Sequence, residues 1–357
     1  MCVAAADLDL VGQAAHVSRV LLERCYGLVE LRKAGLDISN KAGFDRFVGA
    51  MAEKLRGKTR EQEAAAVRAA LATLDVDWSK TDRDSRRRLV NRAMEDAGRH
   101  MDLVPTKIET TLEVRAHDVI ETTRDSLRGR GVTIGANWNA MDNRISDHLV
   151  KSTGNFVTNE YRERNEAFGE EAKRIIEAGV ERGAGRAELA DELEAAARGK
   201  IEGRSNFYWE VIAGAFVGRG RSFSQLSGYA EAGIDEYEIV AMLDERTTQI
   251  CRYLNGKTFS VRQGLDAFER QERISDPELI KKVAPWGRIA KDGQGREMIY
   301  VNHQDGRRAV AVVERSGFGN RDDVGEFSRG RSSAELASLG LGFPPYHGLC
   351  RSTTVPV

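Results

Sequence analysis

From Asp9 to about Lys200, apolar residues recur at three- and four-residue spacing, and Pro105 is the one proline in this half. The pattern predicts an almost wholly helical first half. Val17, Val20, Leu21, Leu28 and Leu31 make one stripe, which Gly35 ends in the usual way of helix C-termini. Further helices are predicted near Phe44 to Leu55, Gln62 to Leu74 and Ser85 to Met101. Pro105 and Thr106 begin a longer one that carries Ile108, Leu112, Val119, Ile120 and Leu127 and closes at Arg128-Gly-Arg-Gly-Val. Asn137 to Phe168 reads as a long amphipathic helix with a break at Gly154. Glu170 to Ala178 and Arg186 to Ala197, joined by a short glycine-bearing link, read as a helical hairpin. Helices of this kind bury a stripe only against each other or against a partner. Residues 1–202 are therefore expected to form an extended helical part, either a bundle or a partner-binding arm.

The texture changes after Gly203. Phe207, Tyr208, Trp209, Val211, Ile212 and Phe216 form a strongly apolar helix, which Gly218-Arg-Gly-Arg is expected to end. Tyr237 to Leu243 suits a buried strand, and Trp286 to Lys291 with Arg296 to Val301 flank Asp292-Gly-Gln-Gly as a hairpin would. Val310 to Val313 adds a further strand. The fold class expected is α+β, with residues 203–357 a small mixed domain holding a short antiparallel sheet.

Composition narrows the function classes. Fifty-four Lys and Arg face fifty-five Asp and Glu, so no global field holds a polyanion and strong non-specific nucleic-acid binding is not expected. The basic run Arg83 to Arg92 reads as a solvated helix face, with phosphate contact as the alternative. No run approaches the roughly 20 apolar residues that cross a bilayer. The first ten residues lack the basic-then-apolar order of a secretory signal, which places the chain in the cytoplasm of its host and gives it no membrane partner. Four cysteines, Cys2, Cys25, Cys251 and Cys350, make no close-spaced disulfide framework, and Cys25 shares the apolar face of Leu21, Leu22 and Leu28.

Several enzyme motifs fail on inspection. Gly57-Lys58-Thr59 and Gly256-Lys257-Thr258 resemble the end of a phosphate-binding loop, but Ala52 and Cys251 stand where its first glycine is needed. Gly218-Arg219-Gly220 lacks the strand and third glycine of a dinucleotide fingerprint. What remains is a more specific cluster. Asp244-Glu245-Arg246-Thr247-Thr248 precedes Cys251 and Asn255-Gly256-Lys257, and the chain closes on Pro344-Pro345-Tyr346-His347-Gly348-Leu349-Cys350-Arg351. Cys251, His347 and Cys350 can ligate Zn²⁺, because thiolate and imidazole are its preferred donors, but a closed site takes four and Asp244 or His303 would have to supply the last. A second reading makes Asp244, Arg246, Thr247 and Arg351 a polar knot that ties the chain end to the middle of the domain and orients His347. A third makes His347 a general acid or base, with Asp244 and the arginines around it.

In order and terminal placement this cluster resembles the phage minor head-morphogenesis family typified by bacteriophage Mu protein F. The resemblance spans about residues 170–357, helped by Glu181-Arg-Gly-Ala-Gly-Arg-Ala-Glu-Leu-Ala upstream. Many members of that family offer a second cysteine three places before the first, and here the position holds Thr248, a poor ligand. The stretch of about 260–340 is longer than the family core needs and reads as a surface insertion. It holds a helix from Leu265 to Ile274 and a Gly/Arg-rich loop from Ser316 to Arg331, read as a recognition element or a solvated loop. The resemblance implies a non-enzymatic assembly protein, first in the host cytoplasm and then inside the head of the virion. Its implied partners are the portal protein and other head proteins, with weak DNA contact. No cofactor is required, and a structural Zn²⁺ is an option. The alternative is a nuclease or toxin-like enzyme using His347, Asp244 and Arg351.

Overall fold

The computed structural model describes residues 37–202 and 206–357. The predicted Val17 to Leu31 stripe, its Gly35 stop, Cys2 and Cys25 lie outside them. The fold is α+β, with a helical N-terminal part and small antiparallel sheets in the C-terminal region. Among the described residues, no helix is long and apolar enough to cross a membrane.

The predicted helices form, but several merge. Helix α1 runs unbroken over Lys41–Leu74, where two helices were expected. A short 3₁₀ turn (Trp78–Lys80) leads to α2 (Arg83–Met101), and α3 follows at Val104–Gly129. Helix α4 spans Ala140–Glu181, so neither Gly154 nor the gap before Glu170 breaks it. A glycine inside a helix costs only about 1 kcal/mol, which the apolar stripe on either side outweighs. Next come α5 (Arg186–Ala197), a π turn (Arg198–Glu202) and α6 (Asn206–Glu231). Helix α6 runs straight through Gly218-Arg-Gly-Arg, which was expected to end it.

The chain divides into two compact units, and not at residue 202. The first comprises the described part of Met1–Met51, Thr110–Ser152 and Glu210–Val357; the second comprises Ala52–Glu109 and Thr153–Trp209. Among the described residues, the regular elements of the second unit are all helical. Its centre is Arg164, 4% exposed, whose guanidinium lies over the rings of Tyr161 (4.5 Å) and Tyr208 (4.8 Å) and bonds the Glu63 carboxylate and the Ile201 carbonyl, each at 3.3 Å. Tyr161 donates to the same carboxylate. In the basic run at the start of α2, Arg86 is structural, donating to the carbonyls of Thr81 (2.7 Å) and Trp78 (3.4 Å).

The first unit holds both sheets. Strands β1 (Glu236–Val240), β2 (Thr258–Ser260) and β7 (Thr353–Pro356) make an antiparallel sheet in the order β2-β1-β7. Tyr237 pairs with Phe259 on one side and Pro356 on the other. Tyr237 and Ile239 are fully buried, which is the alternation that a half-covered strand requires. Between β1 and β2 lies the short helix α7 (Gln249–Leu254), and after β2 come α8 (Val261–Glu272) and α9 (Pro277–Val283). The second sheet is a meander of β3 (Arg288–Lys291), β4 (Glu297–His303), β5 (Gly306–Arg315) and β6 (Glu326–Ser328). Its first turn is the expected one: the Asp292 side chain accepts from the amides of Gln294 (2.8 Å) and Arg296 (3.0 Å), and Gly295 takes φ of +80°. Helix α10 (Ser333–Ser338) precedes the closing segment.

His148 sits in the aromatic core of this unit, with ring centroids 5.7 Å from Phe223 and 5.6 Å from Phe268. Burial, with Arg219 adding to it, pushes its imidazole down from 6.5 to about 4. Above pH 6.5 the ring is neutral whether the chain is folded or not. Below that the unfolded chain takes up a proton that the folded one refuses until about pH 4, so stability falls as pH falls. The expected loss between pH 7.5 and pH 5 is about 2 kcal/mol. A His148→Phe variant, compared with wild type by urea unfolding at both pH values, should lose correspondingly less; identical losses would contradict this account.

Candidate functional site

The site begins with glycines on α6. A Cβ on Gly214 would stand 2.3 Å from the carbonyl oxygen of Gly348, and one on Gly218, a turn later, 3.1 Å from Pro345. The closing segment, whose Pro344–Pro345 peptide is cis, lies directly on this glycine face. Gly348 answers in kind, since a Cβ there would meet Val211 at 2.5 Å. Further along α6, Gly220 admits Val119 and Leu149, and Gly228 admits Leu127. These contacts explain why the helix continues through residues that look like a terminator: the glycines give close approach, and burial of the neighbours outweighs their helix cost.

Arg221 on the same helix is 1% exposed and was not singled out from the sequence. It donates to the carbonyls of Ile38 (2.8 Å), Arg351 (3.2 Å) and Ser352, and its guanidinium lies 4.8 Å from the Phe44 ring centroid. Gln225 and Tyr229 extend the grip, donating to Thr353 Oγ1 at 2.9 Å and to the Thr354 carbonyl at 3.0 Å. Thus α6 fixes the start of β7.

Asp244 is the centre of the turn that leads into α7. Its Oδ1 accepts from the Arg246 amide at 2.9 Å and lies 3.0 Å from Thr247 Oγ1, while the Asp244 amide donates to that hydroxyl at 2.8 Å. Its Oδ2 meets Lys41 Nζ at 2.5 Å and Arg351 Nη2 at 2.9 Å. Burial alone would raise this carboxyl, but Lys41, Thr247, the Arg246 amide and Arg351 overcome it and hold the group well below its ordinary range. Asp45 adds an outer contact, 3.4 Å from Arg351 and 3.9 Å from the exposed Arg246 guanidinium. Arg246 therefore serves the knot chiefly through its backbone.

Arg252, 1% exposed, locks the same turn from behind. It donates to the carbonyls of Thr247 (2.9 Å), Asp244 (2.6 Å), Asn320 (3.0 Å) and Asp323. The Gly/Arg-rich segment Ser316 to Arg331 is consequently pinned on the signature turn, with Arg321 against Glu245 at 3.2 Å and Arg315 on Asp323 at 2.6 Å. Gly256 supplies the next turn, at φ of +76°, where its amide donates to Ile239 at 2.8 Å.

Cys251, on α7, faces the closing segment. Its Sγ lies 3.3 Å from His347 Nε2 and 3.7 Å from Cys350 Sγ, and the three donor atoms fall within 4.8 Å of one another. Both cysteines are buried and His347 is half-buried. Cys350 bonding and burial push the Cys251 thiol up; against burial, the Cys251 S–H and His347 draw Cys350 well below the usual thiol range. The arrangement is a group of one imidazole and two sulfurs that can hold a metal ion. Neither Asp244 nor His303 joins it. Asp244 is engaged by Lys41 and Arg351, and His303, at the end of β4, has its Nδ1 3.3 Å from Asp305. No hydrogen bond joins Asp244 to His347 among the described residues, so the knot does not orient that ring. The hydroxyls of Thr248 and Ser352 lie beside the thiols instead.

Models of protein families, curated proteins and solved structures were compared with the chain, and none matches.

Removing one member of a buried ion pair leaves its partner uncompensated and costs about 3–5 kcal/mol, whereas a half-exposed pair contributes about 1 kcal/mol or less. Asp244→Ala should therefore lower the unfolding free energy by about 3 kcal/mol and Asp45→Ala by under about 1 kcal/mol. Equal effects in chemical denaturation would remove Asp244 from the centre of the fold.

Proposed function

We propose that this chain is a minor head-morphogenesis protein of a tailed phage or prophage, acting in assembly and not as an enzyme. Its partners on this reading are the portal protein and other head proteins, and its place after assembly is inside the head. The motif order of residues 244–257 and 344–351 supports the family, and the buried, ion-paired Asp244 carboxylate supports the mode of action. A general acid–base pair needs an open group within reach of substrate. Here the carboxylate is held by two cations and a hydroxyl, stands apart from His347, and is 4% exposed. The signature residues on this reading keep a binding module shut.

Cys251, His347 and Cys350 supply three of the four donors that a closed Zn²⁺ site takes. Zn–S bonds of about 2.3 Å and Zn–N bonds of about 2.05 Å at tetrahedral angles put two sulfurs about 3.75 Å apart and sulfur and nitrogen about 3.55 Å apart. The two separations that involve Cys251 are 3.7 Å to Cys350 and 3.3 Å to His347, and all three donor atoms lie within 4.8 Å of one another. Cys251, His347 and Cys350 would hold the ion, which would act as a staple between α7 and the closing segment.

Mass spectrometry of purified heads tests the function. The chain should be retained in particles at far fewer copies than the major shell protein, and production of wild type or His347→Ala in cells should cause equal growth and no RNA cleavage. Particles lacking the chain, or cleavage that His347→Ala abolishes, would overturn the reading. Zinc has its own measurement: elemental analysis should give close to one ion per chain in wild type and much less in Cys350→Ser, and a wild type far below one would end the staple.

A further inference from the structure

The four-stranded sheet carries a surface that the assembly reading leaves without a role. Directly paired residues in an antiparallel sheet project from the same face. Arg288 pairs with Tyr300 and Ala290 with Met298, while Tyr300 pairs with Ala309 and Asn302 with Arg307. One face of β3, β4 and the first half of β5 therefore bears two cations, an aromatic ring and an amide, with Ala290, Ala309 and Met298 between them and no acidic residue. It is the outer face, because Ile299 and Val301 of the other are fully buried, and Arg288, Asn302 and Arg307 are exposed.

The cations here are arranged unlike those nearby. Arg296 pairs with Asp292 and Arg308 with Asp305. Among the described residues, neither Arg288 nor Arg307 meets a carboxylate. The Arg307 guanidinium lies instead 3.6 Å over the centroid of the Tyr300 ring. Stacking of this kind leaves the in-plane N–H donors free for a phosphate and the outer surface of the guanidinium free for another flat group. With a net charge of −1 on the chain, the feature is local and not a general basic field.

We propose that this face binds single-stranded nucleic acid. Arg288 and Arg307 take backbone phosphates, the Tyr300–Arg307 stack takes a base, and Asn302 reaches a base edge. Single strands fit better than a duplex, because only unstacked bases can lie on a flat platform. The inference stands on the sheet register, the exposure of these residues and the Tyr300–Arg307 stack, and does not depend on the assembly reading.

Fluorescence anisotropy of the full chain with labelled oligodeoxynucleotide and oligoribonucleotide, single-stranded and as duplex, at about 50 mM salt tests it. Wild type should bind single strands, of DNA, RNA or both, more tightly than the matching duplex. The Arg288→Glu/Arg307→Glu double variant should lose about tenfold in affinity and lower the log–log salt slope by about 1.4, two phosphates at about 0.7 each. Tyr300→Ala should lose about tenfold while leaving the slope within about 0.3 of wild type. Arg87→Glu/Arg88→Glu on α2 carries the same charge change and should bind like wild type. The proposal is overturned if wild type does not bind, if the α2 variant loses as much as the sheet variant, or if duplex binds equally well and Tyr300→Ala has no effect.

Discussion

A carboxylate taken out of water must be matched by cations and donors or it destabilises the fold by several kcal/mol. Asp244 imposes that condition on three segments far apart in sequence: the first turn of α1 through Lys41, its own turn through Arg246 and Thr247, and the closing segment through Arg351. None of the three can withdraw without stranding a buried charge. Arg221 applies the same logic with the sign reversed. It is a buried cation whose terminal nitrogens donate to the carbonyls of Ile38, Arg351 and Ser352, so the same two distant ends are bound again, one helix away.

The sulfur and imidazole donors depend on that frame. Cys251 and Cys350 meet because α7 is set by the Asp244 turn, and because Gly214 and Gly218 let the His347 segment sit on the α6 backbone. Arg252 carries the order outward to residues 316–331, so a segment rich in glycine and arginine is held by carbonyl bonds, not left solvated. The sheet that presents Tyr300 and Arg307 is joined to this frame through β5 and β6, next to the segment that Arg252 pins. The signature residues thus position surfaces they do not themselves form.

Much of this was legible in the sequence. Spacing of three and four located every described helix of the first half, and the Asp292-Gly-Gln-Gly turn located its hairpin. The His347-x-x-Cys350 spacing with Cys251 named the donor group. The expected helix breaks that do not occur share one physical cause, which is that glycine carries two opposite meanings. Locally Gly154, Gly218 and Gly220 look like helix breakers, yet Gly218 and Gly220 are close-approach positions whose value appears only once Pro345, Val119 and Leu149 lie against them. Lys41, Arg221 and Arg252 were invisible for a related reason: their partners are distant carbonyls and a distant carboxylate, and no local pattern marks a residue that works at that range. Asp244 and His303 are candidates for a fourth metal donor by residue type alone, but Asp244 is paired with Lys41 and Arg351, and His303, at the end of β4, does not join the three clustered donors. The division at residue 202 followed a change of texture, whereas the compact units follow packing, which returns 110–152 to the sheet-bearing unit.

On these contacts, one buried charge network makes the turn at 244–247, helix α7 and strand β7 a single cooperative element. Native-state hydrogen exchange on wild type and Arg351→Met tests it most directly. Amides in these three segments should share one opening free energy in wild type, and the substitution should lower it by the same amount in all three. Three unrelated opening free energies, with Arg351→Met affecting β7 alone, would contradict it.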